Sequence, residues 1–329
     1  MTNLKKPENG TVIDTNTRDQ NRFIGALEEG RHKDAFDYLT WLKNMYYNIE
    51  LTIPLPVRFE WESDEVNSVL EISADGTFED AVVKSVCGNS CDVFNLLSGK
   101  RYYWRVNGGE PFVFSTFDHH YSFVKIDGAI NVRDLGGIGI KKGLVYRGSE
   151  LNGTYKITAD GKCTICDELK IKTDLDLRAE WKGNMAESPA GGDVNLKQLP
   201  YRPYDEIFEE EHRRGICRIM DVFADEQNYP IYFHCMGGAD RTGMIAYYLR
   251  AIAAESDLEM HIDYELTSLC EYVPVTNFRN IERDFVVNWL SMLNEYAPGQ
   301  PLKDKLVAFL LSCGVTENCI EKIRGIITA

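Results

Sequence analysis

Between residues 50 and 117, apolar and polar positions alternate with a period of two. Val57, Phe59 and Trp61 are separated by Arg58 and Glu60, Leu70 and Ile72 repeat the pattern, and Tyr102, Trp104 and Val106 share a face opposite Tyr103 and Arg105. Asp75-Gly76 and Gly108-Gly109 punctuate these runs. Period two between turn residues predicts an antiparallel β-sandwich, with the alternating aromatics filling its core. Upstream, Phe23, Leu27, Phe36, Leu39, Leu42 and Tyr46 include several helical spacings, so residues 21–47 are expected to be helical with a break at Gly30. Residues 1–20 are polar and are expected to be loosely attached.

From residue 120 onward the pattern becomes α/β. Leu144 to Gly148, Ile171 to Arg178 and Ile231 to Phe233 read as strands. Phe278, Ile281, Phe285, Trp289 and Leu293 share a helical face, and Leu302, Leu306, Phe309 and Leu310 form another stripe. Thr316 is placed to cap a last helix that carries Ile320, Ile323 and Ile327. The expected architecture is an α/β domain over residues 120–329, a central sheet flanked by helices. A smaller N-terminal antiparallel β-sandwich over 50–119 precedes it, after a segment with a helix over 1–49. A chain of 329 residues suits about two domains.

Composition narrows the function. The net charge of −15 argues against nucleic acid as the main partner and against an anionic membrane surface. An anionic substrate would need local positive charge. No apolar run of about 18 residues predicts a transmembrane helix. The first twenty residues do not resemble a secretory leader. The nine cysteines, an odd and scattered set, fit free thiols in a cytoplasm better than a disulfide framework. Export, with a leader already removed, is the alternative. Cys163 and Cys166 form a C-x-x-C pair, but no second pair or nearby histidine completes a zinc site. No metal or other cofactor is expected.

The chemistry concentrates in His234-Cys235-Met236-Gly237-Gly238-Ala239-Asp240-Arg241-Thr242-Gly243. An apolar strand precedes this run and a helical pattern follows it. Phosphoryl transfer to a cysteine needs a thiolate, which a helix N-terminus and a cation favour. Cys235 is the candidate nucleophile. Backbone N–H groups from Met236 through Gly237, Gly238 and Ala239 to Arg241 can curl around phosphate oxygens, helped by the glycines. The planar guanidinium of Arg241 can clamp two oxygens at once. A leaving alkoxide or phenoxide also needs a proton. Asp240 is the first candidate for that general acid, with Asp205 and Asp176 as alternatives. Thr242 can donate to the sulfur, and His234 can orient the cysteine backbone. Zinc binding by the adjacent His234 and Cys235 does not fit the spacing of metal ligands.

This loop resembles the signature of the cysteine-dependent protein-tyrosine phosphatases, HCx5R. The wider chain resembles their bacterial branch of tyrosine and lipid phosphatases. Asn131 to Gly137, Leu144 to Gly148, Asp174 to Arg178 and His234 to Gly243 carry that resemblance, with weaker echoes at Asp263 to Thr267 and Gly314 to Thr316. It implies Cys235 as nucleophile, Arg241 as phosphate clamp and Asp240 as acid. Where that branch often has a lysine before the aspartate, this chain has Ala239. The expected substrate is therefore phosphotyrosine in a protein or peptide, with a phosphoinositide or another small phosphate ester as the alternative. A phosphate-binding adaptor without turnover is the reading from another class. The segment Leu97 to Val106 resembles a fibronectin type III-like module, which implies a spacer or a binder of a protein partner.

Overall fold

The computed structural model describes residues 2–47, 49–178 and 185–328. The chain forms two compact units, one of Met1–Thr17 with Pro54–Val124 and one of Arg18–Ile53 with Lys125–Ala329. These limits differ from those expected at 49/50 and 119/120. The N-terminal residues join the β unit, and the first helices join the larger unit.

The smaller unit contains β1 (Asn3–Lys6), β2 (Thr11–Ile13), β3 (Val57–Glu62), β4 (Asn67–Ser73), β5 (Val82–Cys87), β6 (Ser90–Val93), β7 (Arg101–Val106), β8 (Phe112–Thr116) and β9 (Ser122–Phe123). One sheet has the order β1-β3-β6 and the other the order β2-β8-β7-β4-β5. Their pairs are antiparallel except β2 with β8. Leu70 faces Val106 and Ile72 faces Trp104 across β4 and β7. These side chains form one core with Phe59, Trp61 and Val93 of the other sheet, as the alternation requires.

The segment expected to be loose forms β1 instead. Its sequence, Asn3-Leu4-Lys5-Lys6, has little to bury, and its order comes from backbone pairing with β3. Lys5 and Lys6 then lie 3.1 and 3.0 Å from Glu62 and Glu60. Lysines on an outer strand also discourage pairing with another chain.

The larger unit contains α1 (Arg18–Glu28), α2 (His32–Met45), β10 (Arg133–Asp134), β11 (Val145–Gly148), α3 (Ala159–Cys163), β12 (Thr173–Asp176), β13 (Asn195–Gln198), α4 (Glu210–Phe223), β14 (Ile231–His234), α5 (Asp240–Ile252), α6 (Asp257–Glu265), α7 (Asp284–Met292), α8 (Leu302–Ser312) and α9 (Glu317–Ile327). Its strands lie in the order β13-β12-β14-β11-β10. The first four are parallel, and β10 runs against β11. Every residue of β11, β12 and β14 is buried. Coverage of both faces explains why these strands read as runs rather than as alternations. Val145, Leu175, Ile231 and Phe233 share a core with Met244, Ile245 and Leu249 of α5 and with Leu306, Phe309 and Leu310 of α8. This is a mixed α/β domain with a central sheet flanked by helices.

Gly30 separates α1 from α2 at φ +71°. Thr316 Oγ1 accepts from Cys319 N–H at 3.1 Å and caps α9. The Phe278-to-Leu293 stripe is only partly helical, because α7 begins at Asp284. Phe278 packs instead on Phe36 of α2, with ring centroids 5.4 Å apart. No helix among the described residues is long and apolar enough to cross a membrane.

Candidate active site

Parallel β11, β12 and β14 end on the same side of the sheet, where open α/β sheets bind ligands. β14 is central, and Cys235 follows its last residue with 3% exposure. Residues 235–239 turn the chain into α5, whose first residue is Asp240. Met236 O accepts from Glu150 N–H at 3.0 Å. Asn131 Nδ2 donates to Gly237 O and Gly238 O at 3.0 and 3.1 Å, and Arg147 Nη2 donates to Gly238 O at 2.9 Å. The loop carbonyls are thus held by surrounding groups. Among the described residues, the backbone N–H groups of Met236 to Arg241 have no acceptor. Unengaged N–H groups at a helix N-terminus make an anion site.

Gly238 adopts φ +68°, and a Cβ there would lie 2.4 Å from Gly148 O. Gly148 closes β11, so the substitution would push the loop off its neighbouring strand. Gly238→Ala should reduce phosphate-ester turnover at least about 100-fold while unfolding stays cooperative, since a strained left-handed residue costs about 1–3 kcal/mol. Circular dichroism melting alongside a rate assay would check this.

Arg241 is half-buried and has no carboxylate partner among the described residues. Met236 is 45% exposed, whereas Ala239 is buried and adds no charge. Tyr272 lies against Gly237, where an added Cβ would come within 2.6 Å of its ring. The rings of Tyr155 and Tyr272 meet edge to face at 6.2 Å.

Beneath the loop lies a buried ionic cluster. Arg133 Nε donates to Asp263 Oδ1 at 2.9 Å, Arg147 Nη1 donates to Asp263 Oδ2, and Arg250 Nη2 lies 3.6 Å from Asp263 Oδ1. Burial alone would raise the Asp263 carboxyl, but Arg147, Arg133 and Arg250 hold it well below the usual carboxylate range. Arg250 also pairs with Glu255 at 2.5 Å. Three guanidiniums facing two carboxylates leave one positive charge below the anion site. Arg133 Nη1 donates to Asn131 Oδ1 at 2.6 Å, which fixes the amide that grips the loop.

His234 is 1% exposed, with Nε2 2.9 Å from Asp174 Oδ1 and Nδ1 3.1 Å from Cys235 O. Both ring nitrogens face acceptors, and only an imidazolium donates from both. Burial opposes that charge, but Asp174 and Asp176 outweigh it and raise the imidazole. These neighbours favour a cation directly behind the cysteine.

The expected acid, Asp240, is engaged differently. Arg279 donates to both of its oxygens, Nε to Oδ1 at 2.8 Å and Nη2 to Oδ2 at 3.0 Å, and Tyr204 Oη donates to Oδ1 at 2.6 Å. Both oxygens of this expected acid therefore accept, as those of a carboxylate do. Asp205 is exposed on the one-turn helix Tyr204–Phe208, and its neighbour Tyr204 is the residue that reaches the loop. Asp176 is fully buried, and Arg178 binds it at 2.8 and 2.7 Å. Thr242 Oγ1 is buried with no hydrogen-bond partner among the described residues, so no bond to the Cys235 sulfur is formed. Cys163 and Cys166 belong to no group with metal-ligand spacing. Among the described residues only Glu209, Glu211 and His212 have that spacing.

Asn131, Arg133, Arg147 and Asp263 were legible only as parts of the stretches that carry the resemblance. Arg279 and Tyr204 had no signal in spacing or composition.

A cysteine after a central parallel strand, an anion-binding turn and an unpaired arginine at a helix start form the arrangement of a cysteine-dependent phosphatase. The chain belongs to the tyrosine phosphatase family, whose profile matches residues 124–299. Among solved structures it is similar to P. aeruginosa TpbA, with 15% identity and a TM-score of 0.36 over 57% of this chain and 95% of that one. It is also similar to the core catalytic domain of the PP-IP phosphatase SIW14 from S. cerevisiae in complex with citrate. There the identity is 15% and the TM-score 0.28, over 49% of this chain and 95% of that one. No curated protein matches the chain.

Proposed function

We propose that this protein hydrolyses phosphotyrosine in proteins or peptides through a phosphocysteine at Cys235. The observation that carries this reading is the loop itself. Among the described residues, backbone N–H groups without acceptors lie between Cys235 and Arg241, which has no carboxylate partner there. The Cys235 sulfur bonds to phosphorus as the ester bond breaks, and water later displaces the sulfur. Arg241 binds two phosphoryl oxygens, and the loop N–H groups bind those oxygens as charge develops on them. Support for an aryl substrate comes from Tyr272 and Tyr155, which offer an aromatic wall beside Gly237, and from Ala239, which adds no cation for a second phosphate. The β unit, read as fibronectin type III-like, is proposed to hold a protein partner.

The test is hydrolysis of a phosphotyrosine peptide and of a phosphoinositide, both with EDTA. Turnover of the peptide at least tenfold faster in kcat/KM is expected. Faster turnover of the phosphoinositide would overturn the substrate assignment and keep the mechanism. No turnover of either would favour the adaptor.

A further inference from the structure

The strongest unexplained feature of the site is the double grip on Asp240. Arg279 comes from the segment between α6 and α7, and its side chain is 11% exposed. Each nitrogen of its guanidinium donates once, Nε and Nη2 to Asp240 and Nη1 to Asn277 O at 3.1 Å. Its backbone is fixed as well, because Arg279 N–H donates to Ser268 Oγ at 2.8 Å and Ser268 Oγ donates to Arg279 O at 3.1 Å. Tyr204 Oη adds its bond to Asp240 and lies 2.7 Å from Tyr264 Oη. Because Tyr204 gives its proton to a carboxylate, Tyr264 donates to Tyr204. A relay of donors from α6, from the one-turn helix at Tyr204 and from the Arg279 segment therefore converges on one carboxylate in the loop.

We propose that Arg279 is a positioning residue that commits Asp240 to accepting protons, so that Asp240 serves the hydrolysis step and not the departure of the leaving group. This rests on the phosphatase reading above and deepens it. In the first step the S–P bond forms and the P–O bond breaks, and the leaving oxygen departs with the electron pair and later takes a proton from water. In the second step a water oxygen bonds to phosphorus and the S–P electron pair returns to the Cys235 sulfur. Asp240 takes the water proton and passes it to solvent. The groups facing Asp240 from the packed elements are Arg279, Tyr204, Tyr264 and Tyr272. Arg279 is the one cation among these described residues, and the three tyrosines keep their protons because burial raises each phenol.

The consequence is substrate selection by leaving group. A phenol near pKa ~10 leaves as its anion far more readily than an aliphatic alcohol. A positioned acid is worth about 10²–10⁴ in rate and would mask that difference. This site therefore selects aryl phosphates, phosphotyrosine among them, over the alkyl esters of phosphoserine or an inositol ring.

The test is a series of p-nitrophenyl, phenyl and alkyl phosphates, with stopped-flow bursts, on wild type, Asp240→Asn, Arg279→Gln, Arg279→Lys and Cys235→Ser. In wild type, kcat/KM should fall at least about 100-fold from p-nitrophenyl to phenyl phosphate, the lower bound for an absent acid. Asp240→Asn should keep the nitrophenol burst and lose steady turnover, with phosphocysteine accumulating. Arg279→Gln should narrow the gap between phenyl and p-nitrophenyl esters, and Arg279→Lys should partly restore it. A flat dependence in wild type, or an Asp240→Asn burst that depends more steeply on leaving-group basicity than the wild-type burst, would overturn this inference alone. Absence of any Cys235-dependent turnover of p-nitrophenyl phosphate would overturn the phosphatase reading, and this inference with it.

Discussion

Cys235→Ser is expected to lose at least about 10⁴-fold in kcat while binding inorganic phosphate within about threefold of wild type, because removing a nucleophile costs chemistry and spares ground-state contacts. The binding contacts belong to other residues: the loop N–H groups from Met236 to Arg241 and the Arg241 guanidinium. Serine occupies nearly the same volume, so the 3% exposed position after β14 should be undisturbed. Serine fails as a nucleophile for a specific reason. A neutral hydroxyl needs a base within reach, and the adjacent histidine cannot act as one. Both nitrogens of His234 already face acceptors, Asp174 and the Cys235 carbonyl. Stopped-flow assays and calorimetric titration with phosphate would measure the two quantities. Residual turnover within 100-fold of wild type would mean that Cys235 is not the nucleophile. Loss of phosphate binding would mean that the loop needs the sulfur for its shape.

The two halves of the site differed in how much the sequence disclosed. The loop is local: strand, turn and helix start fall within a dozen residues, so Cys235, Gly238 and Arg241 could be placed by spacing alone. The supporting cluster is not local. Asn131 reaches Gly237 across 106 positions, and Arg147 reaches Asp263 across 116. No periodicity encodes such a pairing, because the sheet order β12-β14-β11 and the return of α6 bring these groups together. Local chemistry also reaches only so far. Asp240 was legible as a carboxylate in the loop, but its partner Arg279 lies 39 residues away. The same holds for the fold. Strong alternation found β3, β4, β7 and β8, whereas β1 is polar and owes its existence to a neighbour 59 positions on.

Asp263→Asn is the substitution expected to cost the most stability, about 3–5 kcal/mol at pH 7, the range for removing one partner of a buried ion pair. Asparagine keeps the shape but turns an N–H₂ group toward Arg133 and Arg147, which have no other carboxylate among the described residues. Arg133 and Arg147 lose their shared acceptor, and their grip on Asn131 and on Gly238 O loosens with it. Acid pH separates this role from simple packing. The Asp263 carboxyl is held below its usual range, so its contribution is fully present above the ordinary aspartate pKa of about 4 and is lost as pH falls below it. A second acid limb is common to both proteins. Burial pushes His261 down to about 4, so both lose stability as pH falls toward that value from the unfolded histidine pKa of about 6.5. Urea unfolding from pH 7 to pH 3 should therefore show a gap between wild type and variant that is steady to about pH 4 and narrows below it. A gap that stays constant to pH 3 would assign the cost to shape. A gap under about 1 kcal/mol at pH 7 would show that the arginines beneath the loop do not depend on this carboxylate.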